Sequence, residues 1–463
     1  MVPFRGQGFC YVTTNDPAPI IQIFISFFPN FMYAFIIDNI PKRTGLNIKI
    51  PDGVRVYNRK ETYQIKEIEN KILQVFEKWG YEEITLPSFE YFDVHTKGLG
   101  ENVSNKTFKI VDRSSGEILC LRADFTSQIA RYFSSLKQKK LPKRYYYRGN
   151  IFRYVPPKAG NLWEVKQVGI ELIGSKRLEA DAEIIAVASK ALKDLGIQKF
   201  QIDLSNTKIF SALKKVLNLE REIFEEFMQY IKNREIFNLE AFCEKRDIKG
   251  SLKDFITGIP KYQGDISLIK NLIDNVSNFP EILSVLKELE EIYKILDIYG
   301  LADKVIFDLG EPKEFSYYTG VVFEIFVYNF SKPLGYGGRY DNLIGKYNGN
   351  YPATGFAFDI LNIWEYMKKE NLIKEKKEKD FFIIDLTQDK KKALMIARTL
   401  REKGYIVSRD IVDRDFEKSK TFAFEDGYKY VVVIGLDNDT ESVYIYSIEK
   451  KEKVKIKDFL EKV

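Results

Sequence analysis

What this 463-residue chain lacks narrows its chemistry first. It contains a single histidine, His95, which excludes any mechanism requiring two imidazoles, a histidine-rich metal site included. His95 itself reads as a polar residue in a connecting segment. The three cysteines, Cys10, Cys120 and Cys243, lie far apart with no CxxC or Cys/His pattern. Neither a disulfide framework nor a zinc site is expected, no metal or cofactor is called for, and a reducing cytoplasm is the natural compartment. No charge sign dominates either. The 72 Lys and Arg nearly offset 66 Asp and Glu, leaving +6 with both signs mixed along the chain, which is no nucleic-acid footprint. Internal repeats and low-complexity tracts are missing. The one long apolar run, Ile20 to Ile37, is interrupted by Pro29 and Asn30 and preceded by Asp16, Pro17 and Pro19, with only Arg5 as an early positive charge and no small-residue cleavage site after it. That pattern argues against a signal sequence or a membrane anchor. Residues 1–45 are read as an apolar extension from a misplaced start, outside the core fold.

What is present has the length for two or three domains. Apolar residues recur at helical spacing from Asn58 to Trp79, and Gly80 is a natural stop. An extended segment, Tyr81 to Pro87, follows. Apolar stretches at Thr107 to Val111 and Ile118 to Arg122 precede an amphipathic helix over Asp124 to Leu136. Arg144 to Tyr154 and Glu164 to Ile173 read as paired strands joined by a loop with Pro156, Pro157 and Gly160. Short strands with flanking helices imply a mixed sheet. Residues 208–298 are almost wholly of helical period, broken once at Ile259 to Gly264, and read as an inserted helical unit. Strand character returns at Lys304 to Leu309 and Gly320 to Tyr328, and a helix from Asp359 to Lys369 ends this part. Residues 371–379, with the lysine-rich stretch Lys374 to Lys379, read as a linker. From 380 to 463 strands and helices alternate, as in a small α/β domain with a mainly parallel sheet.

Five ordered blocks carry a family resemblance over about 400 residues, from Leu46 to the C-terminus. GYEEITLPSFEYFD, Gly80 to Asp93, resembles the first motif of class II aminoacyl-tRNA synthetases, which implies a dimer interface around Pro87. FRYVPPKAGNLWEVKQVGIELIG, Phe152 to Gly174, is laid out like the second motif, most closely that of the histidyl enzymes. LRADFTSQIAR, Leu121 to Arg131, is similar to the block that supplies an acid and a threonine to the histidine α-ammonium; those roles fall to Asp124 and Thr126. A buried ammonium needs an anion and further acceptors, and a carboxylate two residues from a hydroxyl offers both. Gln167 and Glu171, four apart on a strand and hence on one face, correspond to the family's glutamine and glutamate. Without the resemblance they read equally as the polar face of a half-exposed strand. SYYTGVVFE, Ser316 to Glu324, resembles the histidine-binding block, with Tyr317 and Tyr318 to wall and cap a small planar ligand, or to pack a core. LGYGGRYD, Leu334 to Asp341, places glycines where backbone must approach a ligand or turn sharply, and its Arg339 and Asp341 are near enough for a local ion pair.

The departures from the synthetase pattern are selective. Val155 stands where the family has a glutamate that recognises adenine, and Asn161 and Trp163 replace two arginines. Lys313 replaces the catalytic arginine and loses its planar fork. Leu361 and Asn362 replace the glutamate and arginine that bracket ATP. Of the nucleotide-type residues Arg153 alone is unchanged, and with Lys313 it forms a relic nucleotide site. Several lost charged contacts, each on the order of 2 kcal/mol, should remove adenylate formation.

With IPKYQG in the helical insert, this pattern resembles the family of ATP phosphoribosyltransferase regulatory subunits. The resemblance implies an α+β fold: a class II synthetase-like mixed and antiparallel sheet core over residues 46–370, a helical insertion, and an anticodon-binding-like α/β domain over 380–463. It implies no catalytic residue and no aminoacylation. The expected partners are a short-form catalytic subunit for the first step of histidine biosynthesis, a second copy of the chain, and histidine as a possible feedback effector bound by Asp124, Thr126, Gln167, Glu171, Tyr317 and Tyr318. Binding of tRNA is doubtful, because the segment Asp413 to Phe424 is shorter than expected. A divergent histidyl-tRNA synthetase and a tRNA-binding synthetase paralogue are the competing readings.

Overall fold

The computed structural model describes residues 50–156, 162–310, 317–373 and 379–463, together with a two-residue strand pair at Phe24–Ile25 and Ala34–Phe35. The expected extension over residues 1–45 lies otherwise outside the described residues. So do Asn161, Lys313 and the lysine run up to residue 378.

Local chemistry sets the first helix. Asn58 and Glu61 form a reciprocal capping box at 3.0 Å in both directions, so Arg59–Lys78 starts there. Its apolar face, including Ile65, Ile68, Ile72 and Phe76, is buried. Gly80, at φ +79°, takes the left-handed turn that ends the helix.

The centre of the molecule is a nine-stranded sheet. Its strand order is Gln263–Gly264, Val305–Asp308, Phe200–Asn206, Val321–Val327, Phe330–Arg339, Ala353–Asp359, Glu164–Ile173, Lys143–Phe152 and Glu82–Glu83. Six consecutive strands, from Phe200–Asn206 to Lys143–Phe152, are antiparallel; the pairings that flank them, Val305–Asp308 with Phe200–Asn206 and Glu82–Glu83 with Lys143–Phe152, are parallel, and the edge pair Gln263–Gly264 with Val305–Asp308 is antiparallel. The sheet is mixed, as expected. In the segment LGYGGRYD the glycines serve close approach and not a sharp turn. Most of it belongs to the long strand Phe330–Arg339 rather than to a turn, because its glycines sit where neighbouring strands press close. A Cβ on Gly338 would come within 2.6 Å of the Val321 carbonyl and 3.0 Å of the Tyr318 ring.

Helices Arg59–Lys78, Leu178–Asp194, Pro280–Ile298 and Ile360–Lys369 contribute to one large core against the sheet, which continues into the helices between Lys208 and Asn275. A second, smaller core gathers Phe125, Ile129, Phe133, Tyr145, Tyr147, Tyr317 and Tyr340, and the candidate site lies beside it. A separate five-stranded sheet over 379–455 pairs Val407–Arg409, Lys379–Asp385 and Tyr428–Ile434 in parallel and adds Ser442–Tyr446 and Lys451–Lys455 antiparallel. Lys379, read as the last residue of a linker, opens the first of these strands because it pairs across to Tyr428.

Candidate functional site

The site is built on the strand Glu164–Ile173. Gln167, Gly169 and Glu171 share one face of it, and both polar side chains are buried, at 4% and 1% exposure. They are therefore not the polar face of a half-exposed strand. Tyr147, opposite Gly169 in the adjoining strand, lays its hydroxyl over the glycine. Glu171 pairs across to Gly355, which pairs in turn with Gly338. The missing Cβ of Gly355 is the space that the Glu171 carboxylate occupies.

The second wall is the turn before helix Phe125–Ser135. Asp124 caps that helix, its Oδ1 accepting from the Ser127 N–H at 2.9 Å. Its other oxygen, Oδ2, faces the Tyr317 hydroxyl at 3.4 Å and Nη2 of Arg153 at 3.8 Å. Two residues on, Thr126 donates its hydroxyl to Oε1 of Glu171 at 2.8 Å. Glu171 Oε2 is held by the Tyr340 hydroxyl, and Gln167 donates to the Tyr336 hydroxyl at 2.8 Å. Tyr317 and Tyr318 close the cavity edge to face, with ring centroids 5.0 Å apart. All six expected residues, Asp124, Thr126, Gln167, Glu171, Tyr317 and Tyr318, thus meet around one cavity or in contact with its lining. As it stands the cavity has room for roughly one water molecule.

Electrostatics follow from burial. Burial pushes the Glu171 carboxyl up to about 8, against the hydrogen bonds from Tyr340 and Thr126, with the Asp124 charge pushing the same way. Burial raises Asp124 as well, and the Arg153 guanidinium opposes the rise. Arg153 now has a reason to remain. Its Nε donates to the Ala123 carbonyl at 2.8 Å, so it braces the turn that presents Asp124 and supplies the positive charge facing it. Burial works against that charge, and Tyr336 and Asp124 together outweigh it, so the Arg153 guanidinium is held above its ordinary value.

Residues the sequence did not single out complete the site. Tyr147, Tyr336, Tyr340 and Gly355 line it, and only their positions opposite known strand residues could have revealed them. Arg122 ties the structure together behind it: its guanidinium donates to the carbonyls of Leu86, Pro87 and Asn150 at 2.8–3.1 Å and lies 4.0 Å over the Phe125 ring. Arg339 does pair with Asp341, at 3.1 Å, but its main partner is the buried Asp181, reached by Nε at 3.0 Å and Nη2 at 2.7 Å. His95 is not in a connecting segment. It lies in the short helix Phe92–Thr96 and is 1% exposed.

Among the described residues, the positions that depart from the synthetase pattern are engaged in packing, capping or backbone contacts. The Trp163 indole N–H donates to the Val155 carbonyl at 2.8 Å, and its ring lies 5.6 Å from Phe108 and 5.6 Å from Tyr154. Gly53, at φ +74°, makes room for that indole, since a Cβ there would come within 2.5 Å of it. Leu361 is buried, Asn362 donates its side chain to the Pro333 carbonyl at 2.9 Å, and both backbone N–H groups are capped by Asp359.

A mixed, largely antiparallel sheet with helices packed against it and this cluster of buried polar residues beside it is the architecture of a class II aminoacyl-tRNA synthetase-type protein. The profile of the family described as "Histidyl-tRNA synthetase" matches residues 53–363. The chain is 33% identical over 410 residues to the ATP phosphoribosyltransferase regulatory subunit of Geobacter metallireducens, covering 88% of this chain and 94% of that one. It is 34% identical over 413 residues to the protein of the same name from Acetivibrio thermocellus, covering 88% and 97%. A crystal structure of an "ATP phosphoribosyltransferase regulatory subunit/histidyl-tRNA synthetase" from Bacillus halodurans superposes with a TM-score of 0.73 at 25% identity, covering 84% of this chain and 99% of that one. The chain belongs to the family of ATP phosphoribosyltransferase regulatory subunits, with the histidyl-tRNA synthetase-like fold of that family.

Proposed function

We propose that this chain is the non-catalytic regulatory subunit of an ATP phosphoribosyltransferase, required by a short catalytic subunit and responsive to histidine. The observation that carries the reading is a contrast within one site. Asp124, Thr126, Gln167, Tyr317 and Tyr318 line one small cavity with Glu171 behind Thr126, offering acceptors for an ammonium group and aromatic faces for a ring once the cavity widens around a ligand, while Val155, Trp163, Leu361 and Asn362 are committed to packing, capping or backbone contacts. A pocket with acceptors for an amino acid but neutral groups where triphosphate charge would fall can bind without activating. If histidine binds one state of the assembly better than another, the partner's activity shifts by that difference, and no chemistry is needed in this subunit.

The regulatory reading fits a protein that acts in the cytoplasm as a dimer within a hetero-oligomer. Pro87 is exposed next to a small sheet, Phe89–Tyr91 with Ile118–Leu121 and Lys109–Val111, whose Phe89, Tyr91 and Ile110 are 50%, 45% and 40% exposed. That apolar face supports a second copy as its cover. Among the described residues no helix is long and apolar enough to cross a membrane. Residues 380–463 carry 17 Lys and Arg against 17 Asp and Glu, a balance that weighs against tRNA as a partner of this domain.

Co-expression with a short catalytic subunit tests the proposal. A stable complex with phosphoribosyltransferase activity that histidine inhibits is the expected result. No complex and no gain of activity would overturn it, and histidine-dependent ATP–pyrophosphate exchange by the chain alone would favour a synthetase.

A further inference from the structure

The one imidazole of the chain sits behind the pocket rather than in it. His95 Nε2 is 3.0 Å from the Ala123 N–H, and Nδ1 is 3.2 Å from the Ser127 hydroxyl. Because the backbone N–H can only donate, Nε2 must accept, which puts the ring proton on Nδ1 and directs it to Ser127. Ala123 and Ser127 bracket Asp124. The Ala123 carbonyl is fixed by Arg153, and the Ser127 N–H is the donor that holds Asp124 Oδ1. With Oδ1 used in the cap, the remaining oxygen is the one turned toward Tyr317 and the cavity. His95 therefore grips the turn at both ends of the residue expected to meet an ammonium group.

We propose that His95 is a positioning residue for the amino-acid pocket: as a neutral imidazole it fixes the Ala123–Ser127 turn and thereby aims Asp124 Oδ2 into the cavity. The inference rests on the reading of that cavity as an amino-acid pocket. The surroundings agree with a neutral ring. Burial lowers its pKa to about 4, and Arg122, Arg153 and Arg131 add to the shift. The nearby acids are committed elsewhere, Glu90 to Arg131 at 2.7 Å and Asp124 to its cap, and the Tyr347 hydroxyl on the neighbouring side donates to the Val94 carbonyl at 3.2 Å. Protonation would set a second N–H against the buried Ala123 N–H and release the turn.

The single histidine makes the test direct. The full-length chain, in complex with its catalytic subunit, is labelled with isotopic histidine and titrated with unlabelled histidine. The expected spectrum has one imidazole in the Nδ1–H form, neutral down to below pH 5, that shifts when the pocket fills. In calorimetric titrations His95→Leu should weaken histidine binding about tenfold or more, whereas His95→Gln, whose amide oxygen can accept from Ala123, should stay within about threefold of wild type. A purely structural role would lower melting temperature in both variants without moving affinity. An imidazole that titrates near its ordinary value, or one indifferent to ligand, overturns the inference, as does a folded His95→Leu that binds like wild type. If His95→Leu fails to fold, His95→Gln and the imidazole spectrum decide. If the wild-type complex binds no histidine at all, the pocket reading falls, and this inference with it.

Discussion

Gly355 and Glu171 face one another across two antiparallel strands, and the Glu171 carboxylate lies in the space that a side chain on Gly355 would fill. The two residues are thus one device: the glycine is the floor that lets a buried acid lie flat against the sheet. Gly355→Ala should therefore displace Glu171 from Thr126 and Tyr340 and cost about 1–3 kcal/mol of stability. Denaturant unfolding measures the loss, and histidine titration should show binding weakened well beyond what the stability change alone would cause.

Glu171 also sets a pH dependence. Its pKa is raised to about 8 in the folded protein against 4.5 when unfolded. The folded state then holds the proton between those limits while the unfolded state does not, so this group's contribution is complete below pH 4.5 and is lost as pH rises toward 8. The full span is on the order of 5 kcal/mol. Urea unfolding at several pH values should show this slope in wild type, and Glu171→Gln, a mimic of the neutral acid, should flatten it.

The same proton should report ligand binding. An ammonium group placed beside Glu171 favours the carboxylate, so histidine binding near pH 7 should release close to one proton. Calorimetry in buffers of different ionisation enthalpy counts it. Affinity should rise with pH up to about 8, and both effects should vanish in Glu171→Gln.

Arg153 faces Asp124 and holds the Ala123 carbonyl. Arg153→Met should leave a buried carboxylate without its cation and destabilise by about 3–5 kcal/mol. Arg153→Lys keeps the charge but loses the Nε contact and should fall between. If Arg153 served only a nucleotide, neither variant would change histidine affinity; the expected outcome is that both weaken it.

Arg339 and Asp181 form a pair in which each side chain is 4% exposed or less. Arg339→Lys cannot reproduce the donors to Asp181, Asp341 and the Ser175 and Arg177 carbonyls. Thermal unfolding should show a drop in melting temperature close to that of Asp181→Ala, while binding to the catalytic subunit below that temperature is retained.

Much of this architecture is legible in the sequence because its signals are local. The capping pair Asn58 and Glu61, the stop at Gly80 and the extended run Glu164–Ile173 each act over a few residues. The motif blocks brought Asp124, Thr126, Gln167 and Glu171 into consideration together. The strand Phe330–Arg339 was not legible, since its glycines resemble a turn until the neighbouring backbones that exclude a Cβ are known. His95 reads as part of a connecting segment for the same kind of reason: its partners are 28 and 32 residues away.

The sequence by itself determined the order and type of most elements and the residue types available to an amino-acid pocket, because propensity, capping and side-chain chemistry belong to short segments. Only the tertiary structure decided which of those residues share a cavity and in what state of charge. Burial of Glu171, the use of one Asp124 oxygen in a helix cap, the role left to Arg153 and the grip of His95 on its turn depend on strands and helices far apart in the chain. Desolvation and hydrogen-bond direction exist only once those elements have packed.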